Sequence, residues 1–178
     1  MPDFNTIDEI VEDLQNGRMV VVVDERVTSG EGDEIVGEGE LMMVAELATA
    51  ETIHFMTRHA GSAPTVAAPS AHLEHLGIQE IRTNARGPRG ASIMVSINAR
   101  DVEGSGVSAR DRAQTIRRLT DASSTPDDFV QPGHVTPLMA QTGGVLKRAG
   151  HTEAAVDLAQ MTHCQPLALM AAILDEHG

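Results

Sequence analysis

The chain has 178 residues and a hydrophobic fraction of 41%, which suits one domain with a buried core and is too apolar for a disordered chain. Its formal net charge of −13 argues against a nucleic-acid or anionic-membrane partner, because phosphate-bearing surfaces select basic faces. A small anionic substrate stays open, since it needs only one or two placed cations. Aromatic residues make up 2%, with no Trp or Tyr, so the core is expected from Val, Ile, Leu, Ala and the nine Met. The single Cys164 excludes an internal disulfide framework and a cysteine-rich zinc site. No apolar run reaches membrane-spanning length, and the acidic start MPDFNTIDE is unlike a signal segment, so a cytoplasmic protein is expected.

In chain order, Thr6 and Glu9 form a capping-box pattern ahead of Ile7, Ile10, Val11 and Leu14, and Gly17 stops this first helix. Met19 to Val23 is a continuous apolar run ending at Asp24, the pattern of a strand buried on both faces. From Glu25 to Glu40 the chain turns polar and Gly-rich, with Gly30-Glu31-Gly32-Asp33 repeated seven residues on as Gly37-Glu38-Gly39-Glu40. This reads either as a flexible acidic loop or as a loop whose carboxylates meet a ligand or metal. A helix is predicted from about Ala50 to His59, capped by Thr49, with Ile53, Phe55 and Met56 buried. A short helix around His72 to Leu76 ends at Gly77, and Ser92 to Asn98 reads as a strand with Ile93, Val95 and Ile97 inward. Ser108 with Asp111 opens a helix through Leu119, Asp121 to Pro132 is loop-like, and a strand follows near Val135 to Ala140. After a Gly143-Gly144 turn, Thr152 is the predicted cap of an amphipathic helix over Glu153 to Met161, and Leu167 to Leu174 fits helix or strand. Helices and strands mix without a strict βαβ rhythm, which makes the class α+β, and no domain boundary interrupts residues 1–178.

The segment Arg148-Ala149-Gly150-His151-Thr152-Glu153 concentrates chemistry. A guanidinium, a hydroxyl and the N–H groups of a helix start favour phosphate or carboxylate, although a capped helix with a surface Arg explains the same string. His134, between Gly133 and Val135, is either a structural histidine or a general base. No Gly-rich dinucleotide fingerprint and no phosphate-binding Gly-Lys-Ser/Thr loop is present.

Several strings together carry a family resemblance. They are Arg112-Ala113 with Thr115-Ile116-Arg117, Asp127-Asp128-Phe129-Val130, Pro132-Gly133-His134-Val135, Gly143-Gly144-Val145-Leu146, Arg148 to Asp157, and Ile173-Leu174-Asp175-Glu176 with Gly178. In order and spacing they resemble the second half of 3,4-dihydroxy-2-butanone 4-phosphate synthases. The first half is similar through Val20 to Asp24, Ala45-Glu46, and Ile53, Phe55 and Met56. The resemblance is to the single-domain form of the family, with no cyclohydrolase domain following. It implies an α+β homodimer with active sites at the dimer interface. It also implies a divalent metal, Mg2+ or Mn2+, and conversion of ribulose 5-phosphate to a four-carbon riboflavin precursor plus formate. In the resemblance Arg148, Ala149, Gly150, His151 and Thr152 contact substrate, with Ser105 beside them in the place of a family Thr. His151 also binds the metal, and His134 assists proton transfer.

The family's acidic loop, Arg-Glu-Asn-Glu-Gly-Asp, is rewritten here. A register from Asp24 sets Thr28 to Asp33 against it, and a register carried back from Glu46 sets Ile35 to Glu40 there. In both, the Arg and the metal-binding Glu are absent, which leaves Glu31 and Asp33, or Glu38 and Glu40, as the catalytic carboxylates. A further family Glu falls at Ala172, the Arg before Pro-Gly-His is Gln131, the tandem Thr is Gly104-Ser105, and the family's Cys has no counterpart around Thr65 to Ala68. Three readings follow. One is a diverged enzyme running enolisation-type lyase or isomerase chemistry on a small phosphorylated or carboxylated substrate. Another is a genuine synthase with a replacement carboxylate. The third is a non-catalytic binding or scaffold protein. The retained Arg148, Gly150, His151, Thr152 and His134 favour the first, in which Arg148→Ala is expected to weaken substrate binding by roughly 2–3 kcal/mol without unfolding the chain.

Overall fold

The computed structural model of the chain describes residues 4–27, 35–81 and 92–174. Helix α1 (Ile7–Gln15) opens on the expected capping box, in which the Thr6 hydroxyl accepts the Glu9 N–H at 3.3 Å and Glu9 Oε2 accepts the Thr6 N–H at 2.8 Å. Then come strands β1 (Val20–Val27) and β2 (Ile35–Val44), helix α2 (Ala50–His59), strand β3 (Thr65–Pro69) and helix α3 (Ser70–His75). Short strands β4 (Ser92–Ile93) and β5 (Ile97–Ala99), helix α4 (Ala109–Thr120), strand β6 (Phe129–Ala140), helix α5 (His151–Gln160) and strand β7 (Ala168–Ala172) complete the order.

Seven strands form one mixed sheet in the order β1-β2-β7-β3-β6-β4, with β5 also on β6. β3 and β6 are parallel and the other pairs antiparallel, which agrees with the α+β expectation. Alternation along the central strands builds a core on each face. Val66, Ala68, Leu167, Leu169 and Ala171 pack with Ile53 and Met56 of α2 and Ile116 and Leu119 of α4. Ala67, Ala168 and Met170 pack on the other face with Leu14 of α1 and Ala155, Val156 and Ala159 of α5. No helix among the described residues is long and apolar enough to cross a membrane.

The structure departs from the sequence pattern at four places. The Val20 to Val23 run is not buried on both faces: among the described residues β1 is an edge strand with one neighbour, and Val21 and Val23 are 53% and 46% exposed. Phe55 is exposed and stacks at a tilt on His59, with ring centroids 4.5 Å apart. The Ser92 to Asn98 segment is broken into β4 and β5, so Met94 and Ile97 point inward while Ile93 is exposed. β6 starts at Phe129, inside the stretch read as loop, because Phe129 and Val130 pair with Ala99 and Asn98 before the ladder is interrupted. The final apolar stretch resolves as strand, with Ala168–Ala172 wedged between β2 and β3.

Candidate active site

The Gly37-Glu38-Gly39-Glu40 repeat is strand rather than loop, since β2 runs through it and pairs with β1. The pairing fixes where both carboxylates of the repeat stand. It sets Glu38 opposite Asp24 and Glu40 opposite Val22. Residues of the same parity, Val20, Met42 and Val44, sit in the core beneath α5, so Asp24, Glu38 and Glu40 point to that helix's side of the sheet. His151 is the first residue of α5. One ligand atom from each of Asp24, Glu38 and His151 lies within 4.8 Å of the other two. His151 Nε2 is buried and has no hydrogen-bond partner among the described residues. Carboxylates directly opposite on an antiparallel pair repel, so this arrangement favours a cation between them. Burial holds the half-buried Glu40 carboxyl above its usual range, with Glu38 adding to the rise and His151 opposing it. A cavity beside the cluster is lined by Asp24, Val145, Ala149, Gly150, His151 and Ala154, among others.

Two acids of α5 position the segment leading into the helix. Asp157 accepts the Val145 N–H at 2.9 Å, and a Cβ at Gly144, where φ is +60°, would collide with the Asp157 carboxylate. Glu153, fully buried, accepts the Gln141 N–H at 2.9 Å and an Arg148 N–H at 2.6 Å. The guanidinium expected to face a ligand therefore closes on a buried carboxylate. A Cβ at Gly150 would meet Glu153 Oε2 at 2.8 Å, so this pairing needs glycine there. Thr152 is not the cap: the N-cap is Gly150, and Thr152 is already inside the first turn and buried. No side chain caps α5, which leaves its N-terminal end open toward the cavity that Ala149 and Gly150 line.

His134 and Ser105 form a second group. Both are exposed, and both meet Asn98 of β5: the Asn98 Oδ1 accepts the His134 N–H at 2.8 Å, and its Nδ2 donates to the Ser105 carbonyl at 3.2 Å. The Met170, Thr65 and Thr136 row links β7, β3 and β6, and both Ala172, paired with Glu40, and His134 lie two residues beyond it on the same side. His134 belongs to β6 and Glu40 to β2, with β7 and β3 between them. The structure does not bring the two groups together within one chain.

Glu31 and Asp33 lie outside the described residues. Gln131 faces Gly77 and Gln79, donating to the Gly77 carbonyl at 3.1 Å. Sequence reasoning missed Asp24 as a site residue and read it as a strand end. The signal was there, because a carboxylate ending an apolar run becomes a cross-strand partner once the acidic repeat is allowed to be strand. Asn98 was missed because its partner His134 is 36 positions away, and Glu153, although inside the singled-out string, carries no mark of its burial.

Residues 8–178 match the 3,4-dihydroxy-2-butanone 4-phosphate synthase family. The riboflavin biosynthesis protein RibBA of Rhodococcus jostii is 40% identical over 176 residues, covering 99% of this chain and 40% of that protein. A 3,4-dihydroxy-2-butanone 4-phosphate synthase of Neisseria meningitidis is 39% identical over 178 residues, covering 100% of this chain and 47% of that protein. The chain thus spans less than half the length of these curated relatives. Among solved structures, a 3,4-dihydroxy-2-butanone 4-phosphate synthase in complex with two magnesium ions superposes with a TM-score of 0.87 at 33% identity, over 97% of this chain and 77% of that one.

The raised Glu40 carboxyl fixes a pH signature. Ionising it costs more in the folded than in the unfolded chain, so its contribution to stability is full at acid pH and is lost as pH rises through the folded value. In chelator-treated protein, Glu40→Gln is expected to raise the thermal midpoint at neutral pH, with the gain vanishing below about pH 4.5, the ordinary Glu value. A gain independent of pH would show that Glu40 titrates normally. Arg148→Ala is expected to destabilise the fold by about 3 kcal/mol in urea titrations, because it strands the buried Glu153. The variant is still expected to fold, but with this loss of stability.

Proposed function

The chain belongs to the 3,4-dihydroxy-2-butanone 4-phosphate synthase family, and on that premise we propose that it converts ribulose 5-phosphate to 3,4-dihydroxy-2-butanone 4-phosphate and formate. The observation that carries this reading is the convergence of Asp24 and Glu38 with the unpartnered, buried Nε2 of His151. Two carboxylates and an imidazole fit a magnesium or manganese ion. Two donors on one such ion sit roughly 3–4 Å apart, inside the 4.8 Å within which the three ligand atoms lie here. Glu38 then fills the place of the metal-binding Glu that the rewritten loop lacks.

A divalent cation there supplies Lewis-acid polarisation of the sugar's carbonyl and hydroxyl oxygens. The chain supplies the rest. The open N-terminal end of α5 at Gly150 holds the phosphate by backbone N–H groups. Arg148, backed by Glu153, sets the approach to that turn. Glu40 keeps its proton to higher pH than an ordinary carboxyl, which suits it to give and take protons during dehydration and loss of formate. His134 is the second acid/base group. Strands β7 and β3 separate it from the cluster's β2, so a homodimer in which one copy lends His134 and Ser105 to the other's cluster satisfies the geometry.

One observation favours a second reading. Ala172 stands directly opposite Glu40, where the resemblance calls for another Glu. A site with one carboxyl fewer fits enolisation of a different small anionic substrate, phosphorylated or carboxylated, on the same scaffold.

Purified protein with ribulose 5-phosphate and magnesium is expected to release formate, read by proton NMR, and to lose that activity with chelator. Calorimetric titration with magnesium or manganese is expected to show binding that His151→Ala weakens about tenfold or more. Metal binding without formate would leave the second reading. Neither would overturn the site.

A further inference from the structure

Between Asn98 and Ala99 on β5 and their partners on β6 the ladder is normal, but Ile97 pairs with Val135 while Asn98 pairs with Val130. The four residues Gln131, Pro132, Gly133 and His134 are therefore looped out, with a cis bond at Gln131–Pro132. Three contacts hold this excursion. The Gly133 N–H donates to Ser96 Oγ at 3.2 Å, and the His134 N–H donates to Asn98 Oδ1 at 2.8 Å. The Arg112 guanidinium donates to the His134 carbonyl, and its Nε donates to the Val107 carbonyl at 3.0 Å. Two glycines make room. A Cβ at Gly133 would strike the Ile97 and Asn98 backbone, and one at Gly106, where φ is +92°, would occupy the space of the Asn98 amide.

The orientation of that amide is dictated by backbone groups on both sides. Its oxygen must accept the His134 N–H, and its nitrogen must donate to the Ser105 carbonyl. The His134 Nδ1 then lies 3.3 Å from Nδ2 and 3.4 Å from Oδ1. An unprotonated Nδ1 accepts from the amide N–H, and a protonated Nδ1 donates to the amide oxygen. In the second arrangement Nδ1 keeps its proton on the amide oxygen whether the ring is neutral or cationic, which leaves Nε2 to take and return the other proton.

We infer that Asn98 is the positioning residue of His134, holding the imidazole by a charge-neutral amide so that the ring can both take and return a proton at Nε2. This rests on the reading of His134 as an acid/base group in the proposed reaction. Few charges surround the ring. β3 (Thr65–Pro69) and β5 (Ile97–Ala99) bring none. From α4 come Arg112, on the carbonyl, and Asp111, whose carboxylate accepts the Gly106 N–H at 3.1 Å. Glu103, on the intervening segment, pairs with Arg110 at 3.5 Å.

The test substitutes Asn98→Asp, close to isosteric, and Asn98→Ala. Two readouts are taken on the full-length protein: the His134 ring signals across pH by NMR, assigned with His134→Gln, and the pH profile of formate release. A carboxylate beside the ring is expected to raise its pKa by about one unit and to move the acid limb of the profile up by the same amount. Asn98→Ala is expected to lower turnover at least tenfold with little change in KM. If Asn98→Asp leaves the ring titration in place, the inference is overturned, whether or not formate is made. If the ring shifts but no variant, wild type included, releases formate, the positioning stands and the proposed reaction falls.

Discussion

Two carboxylates, Asp24 and Glu38, are fixed opposite each other by an antiparallel ladder, and at that spacing their repulsion has to be offset by nearby positive charge. The rest of the active-site face is arranged around this constraint. The ladder sets the spacing, because both residues belong to paired strands. α5 brings its N-terminus, the positive end of the helix dipole, and His151 to the same place. Glu40, two residues further along the strand, is half-buried in the field of Glu38, and its carboxyl responds by holding its proton more tightly.

The acids of α5 play a different part from those of the hairpin. Glu153 and Asp157 point back at the chain that enters the helix and bind Gln141, Val145 and Arg148. They fix the backbone of the Gly-rich turn, so the open helix end sits at a defined place beside the carboxylate pair. A short string from Arg148 to Asp157 thus holds both ligand-facing groups and the supports that place them.

Much of this was legible in the sequence where the signal was local. The Thr6–Glu9 and Ser108–Asp111 caps, the Gly143-Gly144 turn and the helical periods of α1, α2, α4 and α5 all depend on neighbours a few residues apart. What was not legible depends on long-range pairing. Met19 to Val23 carries no mark saying that β1 has a neighbour on one side only. Gly37 to Glu40 looks like loop because glycine alternates with glutamate, and pairing with β1, joined at Glu40 by β7, makes it strand. Arg148 looked free because its partner is hidden inside the helix it precedes. His134 was visible as a residue, but its support by Asn98 and Arg112 comes from 36 and 22 positions away.

The place of β1 at the sheet margin has a further consequence. Among the described residues it pairs with β2 alone, so it is the stretch of the sheet that can peel away at least cost to the core. Asp24 stands on that stretch, while Glu38 belongs to the second strand and His151 to a helix more than a hundred positions later. A cation held by all three would act as a clasp that fastens the sheet's loose border to its interior. Fraying of the border and release of the ion would then be one event, with occupancy of the site and order of the outermost strand rising and falling together.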